Sequence, residues 1–537
     1  MRASWATLGR DQGIFQYVAW AVANGHTAYR DVRDVNGPLT ILVHRVMLAL
    51  GGADEHRFRV LDLLFTALAA TFVGAALPSL GASRPSRGVR IAWALATWLI
   101  VSAQVLGFGW WDTAQRESFF DWFVMLSFGA ALFAAHAEGR RRSAFLALAG
   151  AASAAPWLGK PTYALVTVVQ VLALALDEEA ATRAPRLRAF ALGGVVGLAV
   201  PFGWLVACGD PRAWARITFH DVPVMYKFIW PRSAVDILSA PWTMSIVVLA
   251  CAASLATLGL VFARGLPRRA LPIAVLPLAG LVSVIVQKKG FLYHFHPVSL
   301  GAALAILALG FRACAFAESA RPHFLRLPFR VLLLAGFGVL GARAAMTSSV
   351  SAFPPAPPAG IDLEGSARLA PFIRVDFFPY ALRVVAAHLR ARTNAADTVQ
   401  TYGMDPYLLF LAQRKSATPY IYGYDLDADA ALMGSWRVEG LHPTPAEQAQ
   451  IRALRDDHER DMLARITQAP PAAFVFIGRS PLLASADALV DFQIHCPEAA
   501  AWVLMHYRET LEVDGIRVWM REDLAHEDSV PQPKIDQ

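Results

Sequence analysis

Between residues 57 and 347 the chain repeats one pattern, an apolar run followed by a short polar loop. Each run has roughly 17–25 residues, the length at which an α-helix crosses a bilayer. In lipid every backbone amide must be satisfied within its own segment, so such runs are helices. Runs near 57–79, 89–108, 118–137, 143–157, 160–177, 187–208, 241–263, 270–287, 291–313 and 326–347 give about ten spans. The fourth and fifth flank "PWLGKP" and are short enough to form one re-entrant or broken unit. Composition agrees: 56% of residues are hydrophobic and 17% charged, against about 45–50% and about 25% in soluble domains.

The polar loops orient the spans. "GASRPSRGVR" (81–90), "EGRRRS" (138–143), "TRAPRLR" (182–188), "ARGLPRR" (263–269) and "RPHFLRLPFR" (321–330) are basic and fall on one side if each run crosses once. By the positive-inside rule that side is cytoplasmic. The opening loop, "GWWDTAQRE" (109–117), residues 209–240, "QKKG" (287–290) and everything after 348 then lie outside. The net charge of +7 arises largely in the basic loops. No basic run is interleaved with aromatics in a soluble context, so nucleic acid is excluded as a partner. Four scattered cysteines form neither a metal spacing nor a disulfide framework.

Residues 1–349 read as a membrane domain with outer loops, and residues 350–537, after the Pro-rich "FPPAPPAG", as a separate α/β domain. In the second part "PYALRVVAAHLRAR", "DPYLLFLAQR" and "AAAWVLMHY" read as helices. "TVQTYG" and "AAFVFIG" read as strands, and "YRETLEV" with "IRVWMRE" as a closing hairpin. In the opening loop, residues 11–24 and 38–50 are apolar but too short to span, and are expected to lie at the membrane surface.

The outer side collects the chemistry. Its acids are Asp11, Asp31, Asp34, Asp112, Glu117 and Asp121; its cations are Arg33, Lys160, Lys288 and Lys289; its histidines are His294 and His296. Glu117 and Asp121, four apart, share a helix face. Asp31, Asp112 and Asp121 read as caps or loop residues at the membrane edge. Carboxylates beside cations at a membrane face suit transfer of a sugar carried on a lipid phosphate. One carboxylate takes the acceptor's proton, and cations or a divalent metal stabilise the departing phosphate. Phosphate leaves readily, so the second carboxylate of a glycosidase is not needed.

The stretch "RDQGIFQYVAWAVANGHTAYRDVRDVNGP" resembles the first outer loop of the GT-C superfamily of polyprenyl-phosphate-sugar-dependent glycosyltransferases. The resemblance is to the bacterial branch related to protein O-mannosyltransferases and the lipid A aminoarabinose transferase. "AQRESFF", "QKKGFLYHFHP" and "YLLFLAQRKSATPYIYG" are similar to further elements of that branch. The fold this implies is an α-helical polytopic membrane protein, a GT-C-like bundle with a C-terminal extracytoplasmic α/β domain, in a bacterial cytoplasmic (inner) membrane. It also implies a membrane helix ahead of Asp11. None precedes it in this sequence, so a missing first span is the expectation.

The implied roles are Asp11 as catalytic base, with Asp34 and Glu117 orienting the acceptor or helping to hold a metal. Lys288, Lys289, His294 and Arg33 would face the donor phosphate. Asn36 stands where the family often has a lysine, and Gln12 where a second acid is common. The implied reaction is inverting transfer from a polyprenyl-phosphate sugar to a hydroxyl or amine of an unidentified outer acceptor. A transporter or flippase of a lipid-linked saccharide and a non-catalytic family member are the alternatives.

Overall fold

The computed structural model describes residues 2–176, 180–319, 369–435 and 440–525. The expected span at 326–347, the basic loop 321–330 and the Pro-rich stretch 353–360 lie outside the described residues.

Among the described residues, seven helices are long and apolar enough to cross a membrane: Glu55–Leu80, Arg87–Leu106, Arg116–Ala134, Arg183–Cys208, Thr243–Phe262, Arg268–Gln287 and Leu292–Phe316. The chain is a multi-pass membrane protein. Its outward-facing leucines, valines and phenylalanines, such as Leu192, Val195, Val248 and Phe262, are exposed because lipid is their solvent.

The fourth and fifth runs are shorter than full spans. Gly139–Ala154 and Ala164–Ala175 are separate helices, joined by tight 3-10 turns at Ala155–Leu158 and Pro161–Tyr163. Pro156 and Pro161 break the helical ladder there. The first of these helices packs backbone to backbone on the following span. A Cβ on Gly193 would lie 1.9 Å from the Ala147 carbonyl, and one on Gly197 2.2 Å from that of Ala151. The "PWLGKP" bend is also pinned from the opening loop, where a Cβ on Gly37 would sit 2.3 Å from the Leu158 carbonyl.

Four of the five basic loops gather at one end of the bundle. Arg84, Arg264, Arg268, Arg269 and Arg312 line a cavity of about 1220 Å³ there. Arg84 donates to the His136 carbonyl, and Arg142, Arg186 and Arg269 line a smaller neighbouring space.

The C-terminal part holds a five-stranded mixed sheet: β1 (Thr398–Tyr402), β2 (Lys415–Ser416), β3 (Ala473–Ile477), β4 (Tyr507–Val513) and β5 (Ile516–Arg521), in the order β2-β1-β3-β5-β4. β1 runs parallel to β2 and β3, and β5 antiparallel to β3 and β4. Asp514 and Gly515, both at positive φ, make the two-residue turn of the closing hairpin. Helices Pro379–Arg392, Tyr407–Ala412 and Pro497–His506 stand where the sequence pattern puts them. The long helix Pro445–Gln468 is additional.

The opening loop differs from the sequence expectation. Helix Arg10–Ala23 does not lie on a membrane surface; nearly all its residues are buried, with the C-terminal part packed over it. A Cβ on Gly13 would lie 2.5 Å from the Tyr407 side chain, and the Ser416 amide donates to the Tyr17 hydroxyl at 2.7 Å. Helix Pro38–Gly51 keeps Val46 and Leu50 exposed, as a helix at a membrane boundary does.

Candidate active site

At the bundle end away from the basic loops, turns after several helices converge on one acidic and basic cluster. Asp11 lies in the first turn of Arg10–Ala23, half-buried. The Tyr293 phenol donates to its carboxylate, and Arg10, Arg116 and Glu117 are its charged neighbours. Burial pushes Asp11 up to about 6, against the pull of the two guanidiniums. Asp112, at the end of the short helix Gly109–Asp112, is raised to about 7, chiefly by burial, and interacts with Asp11.

Arg116 and Glu117 open the span Arg116–Ala134. Glu117 is fully buried. Its Oε1 accepts from Arg116 Nη2 at 2.9 Å and from Lys160 Nζ, and His294 Nε2 lies 3.8 Å away. Lys160 reaches this point because the "PWLGKP" bend turns it inward. Burial lowers it to about 7 even though Glu117 favours its charge. Arg116 Nη1 also donates to Asn36 Oδ1 at 2.7 Å, and the Asn36 amide and side chain donate to Asp34 Oδ1. Asp34 is fully buried and accepts a further bond from the Tyr422 hydroxyl at 3.0 Å. Burial raises its pKa.

Several polar atoms here are buried and have no hydrogen-bond partner among the described residues: Glu117 Oε2, Asp34 Oδ2, Arg116 Nε and His294 Nδ1. Buried polar groups are normally satisfied, so such a concentration makes this cluster the candidate site for a polar ligand. Asp121, one turn below Glu117, has no hydrogen-bond partner for either oxygen among the described residues, and its Oδ2 lies 3.9 Å from His296 Nδ1.

The residues singled out in the sequence separate into three groups. Asp11, Asp34, Glu117 and His294 are brought together, along with Lys160. Lys289 is close by: its Nζ donates to the carbonyls of Tyr226 (2.8 Å) and Ile229 and lies over the Tyr226 ring. Burial lowers it to about 7. Arg33 and Lys288 are placed differently. Arg33 is buried between Asp221 (2.7 Å) and Asp425 (2.9 Å), which occupy its guanidinium as a clamp between the opening loop and the C-terminal part. Lys288 takes a left-handed conformation at the C-terminus of Leu271–Gln287, and its side chain is exposed. Gln12 is structural. It accepts from Gly9 and Arg59 and donates to the carbonyls of Trp110, Trp111 and Thr113.

Arg116 and Tyr293 are the central residues that the sequence reading passes over. The signal for the first was a cation beside the second-loop acid in "AQRESFF". The signal for the second was the aromatic preceding the histidine in "KKGFLYHFHP".

No family model matches the sequence, and no curated protein does. Solved structures do match. ArnT from Cupriavidus metallidurans in the apo state superposes with a TM-score of 0.56 at 15% identity, over 96% of this chain and 94% of that one. The same protein bound to undecaprenyl phosphate gives 0.56 at 14% identity, over 96% and 95%. An Archaeoglobus fulgidus oligosaccharyltransferase in complex with Zn and sulfate is more distant, at 0.46 and 11% over 96% and 70%. The likeness to ArnT extends over almost the whole of both chains, and the chain therefore has the fold of that protein.

Proposed function

We propose that the protein transfers a sugar from a polyprenyl-phosphate donor to a hydroxyl or amine of an acceptor, with inversion, on the outer face of a bacterial inner membrane. The observation that carries this reading is the grouping of Asp11, a half-buried carboxylate raised to about 6 with Arg116 and Glu117 as charged neighbours, with the cations Arg116 and Lys160 that Glu117 holds. In the step proposed, the acceptor oxygen or nitrogen attacks the anomeric carbon as Asp11 takes its proton. The carbon–oxygen bond to phosphate breaks, and the polyprenyl phosphate leaves as an anion. Arg116, Lys160 and Lys289 supply the positive charge that meets that anion. Glu117 holds two of these cations in place, and Asp34 holds Asn36, which in turn receives Arg116. The undecaprenyl phosphate bound to the similar ArnT fold supports the donor class.

Placing the catalytic loops outside rests on the basic loops gathered at the opposite end. The division into a membrane domain (1–349) and an outer α/β domain (350–537) belongs to the same proposal. Transport is less favoured, because the buried Arg59 donates to the carbonyls of Thr7 and Trp110. This holds Arg59, and Asp62 with which it interacts, near the outer end of their span rather than midway across, where a transport relay is expected.

Replacing Asp11 tests the reading. In vesicles supplied with a polyprenyl-phosphate sugar, Asp11→Asn should lower turnover by about 100- to 10,000-fold, the range for losing a general base, while donor binding persists. Full turnover in that variant would remove Asp11 as the base.

A further inference from the structure

Away from the acid cluster, the C-terminal part brings a second set of ionisable groups together. Asp427 follows the turn Gly423–Asp425, Asp429 opens the short helix Asp429–Met433, and His495 ends the helix Ala488–His495. One donor atom from each lies within 4.8 Å of the others. His495 is 7% exposed, and its Nε2 has no hydrogen-bond partner among the described residues. That nitrogen points at both acids, 3.6 Å from Asp427 Oδ1 and 3.5 Å from Asp429 Oδ2.

These separations are too long for hydrogen bonds and suit a shared cation. Zinc binds imidazole nitrogen and carboxylate oxygen at about 2.0–2.2 Å in tetrahedral geometry, which sets neighbouring ligand atoms about 3.3–3.6 Å apart. One imidazole and two carboxylates favour zinc over calcium, which takes six or more oxygens. Asp427 is already fixed, with Oδ1 accepting from the Asp429 amide and Oδ2 from the Ala484 amide. Asp429 is half-exposed and leaves an entry route.

We propose that Asp427, Asp429 and His495 form a zinc site that braces the fold, with a solvent molecule completing the tetrahedron beside half-exposed Asp429. The ion would tie the segment after Tyr422 to the helix Ala488–His495. That segment carries Tyr422 and Asp425, which grip Asp34 and Arg33 of the opening loop, so the site would brace the clamp from behind. This inference does not depend on the proposed transfer reaction.

The test uses the full chain without a polyhistidine tag, in detergent micelles, stripped with EDTA and then titrated with zinc alone. Retained metal is measured after gel filtration, and thermal unfolding is followed in parallel. The wild type should retain a single zinc per chain and melt at a higher temperature with it. Asp429→Asn, at a half-exposed position that tolerates the change, should melt like stripped wild type and show little gain from zinc. His495→Gln should behave likewise, with affinity weakened beyond the ~10–100-fold typical of losing an outer partner at a metal site. The proposal is overturned if the wild type retains no zinc, if Asp429→Asn retains zinc and its thermal gain as the wild type does, or if calcium stabilises the protein more than zinc does.

Discussion

Asp11 owes its proposed role to two opposing influences. Burial holds its pKa near 6, while Tyr293 and two guanidiniums keep it from rising further. Lys160 and Lys289 are both held near 7 by burial. The signs give a narrow window for the free enzyme. Below about pH 6 Asp11 is protonated and cannot accept a proton; above about pH 7 the two lysines lose the charge that meets phosphate. The kcat/KM profile, which reports the free enzyme, should therefore be bell-shaped with limbs near 6 and 7. Arginine stays charged throughout this range, so the double variant Lys160→Arg, Lys289→Arg should lose the alkaline limb and keep the acid one. A pH–rate series on both proteins decides this, and an unchanged alkaline limb would exclude the two lysines as its source. Asp31, by contrast, is bound by Arg30 and the Thr27 amide as an ordinary turn residue.

At the scale of elements, the helix Arg10–Ala23 is the unexpected one. Its apolar residues suit a membrane surface, but the same residues serve a protein interior. Gly13 shows which surroundings it has, because the Tyr407 side chain fills the space a Cβ would need. Gly13→Ala should destabilise the protein by about 1–3 kcal/mol through overpacking and lower activity by displacing Asp11, two residues away. Thermal unfolding and the vesicle assay together check this; a variant as stable and active as wild type would show that the contact is loose. Elements with a strong local code were legible. The closing hairpin carries Asp514-Gly515, and Pro379–Arg392 alternates on a helical face. The long helix Pro445–Gln468 had a local code too, the Thr444–Glu447 capping box that the structure forms. Its many charges masked the apolar period.

On the scale of the whole molecule, four buried or part-buried ion pairs among the described residues bind the opening loop and the first span to the C-terminal part: Arg10 to Asp376 and Asp405, Arg33 to Asp425, and Arg383 to Glu55. The opening loop is thus held by the C-terminal part as well as by the bundle. The proposed orientation is testable by cysteine labelling in a cysteine-free background. Lys288→Cys, exposed beside the acid cluster, should react with a membrane-impermeant maleimide in intact cells. Arg141→Cys, in a basic loop, should react only after permeabilisation. The opposite pattern would invert the topology.

The sequence by itself marked the seven membrane-length helices of the described residues and four of the five strands of the closing sheet, because length, hydropathy and turn chemistry are local properties. It also marked Asp11, Asp34, Glu117 and His294, which the fold brings together. Only the tertiary structure decided which cations lie beside them. Arg33 is consumed by two buried carboxylates, Lys288 faces outward, and Arg116 and Lys160 turn inward onto Glu117. The partner of a charge is set by residues hundreds of positions away, and a linear pattern carries no record of that distance.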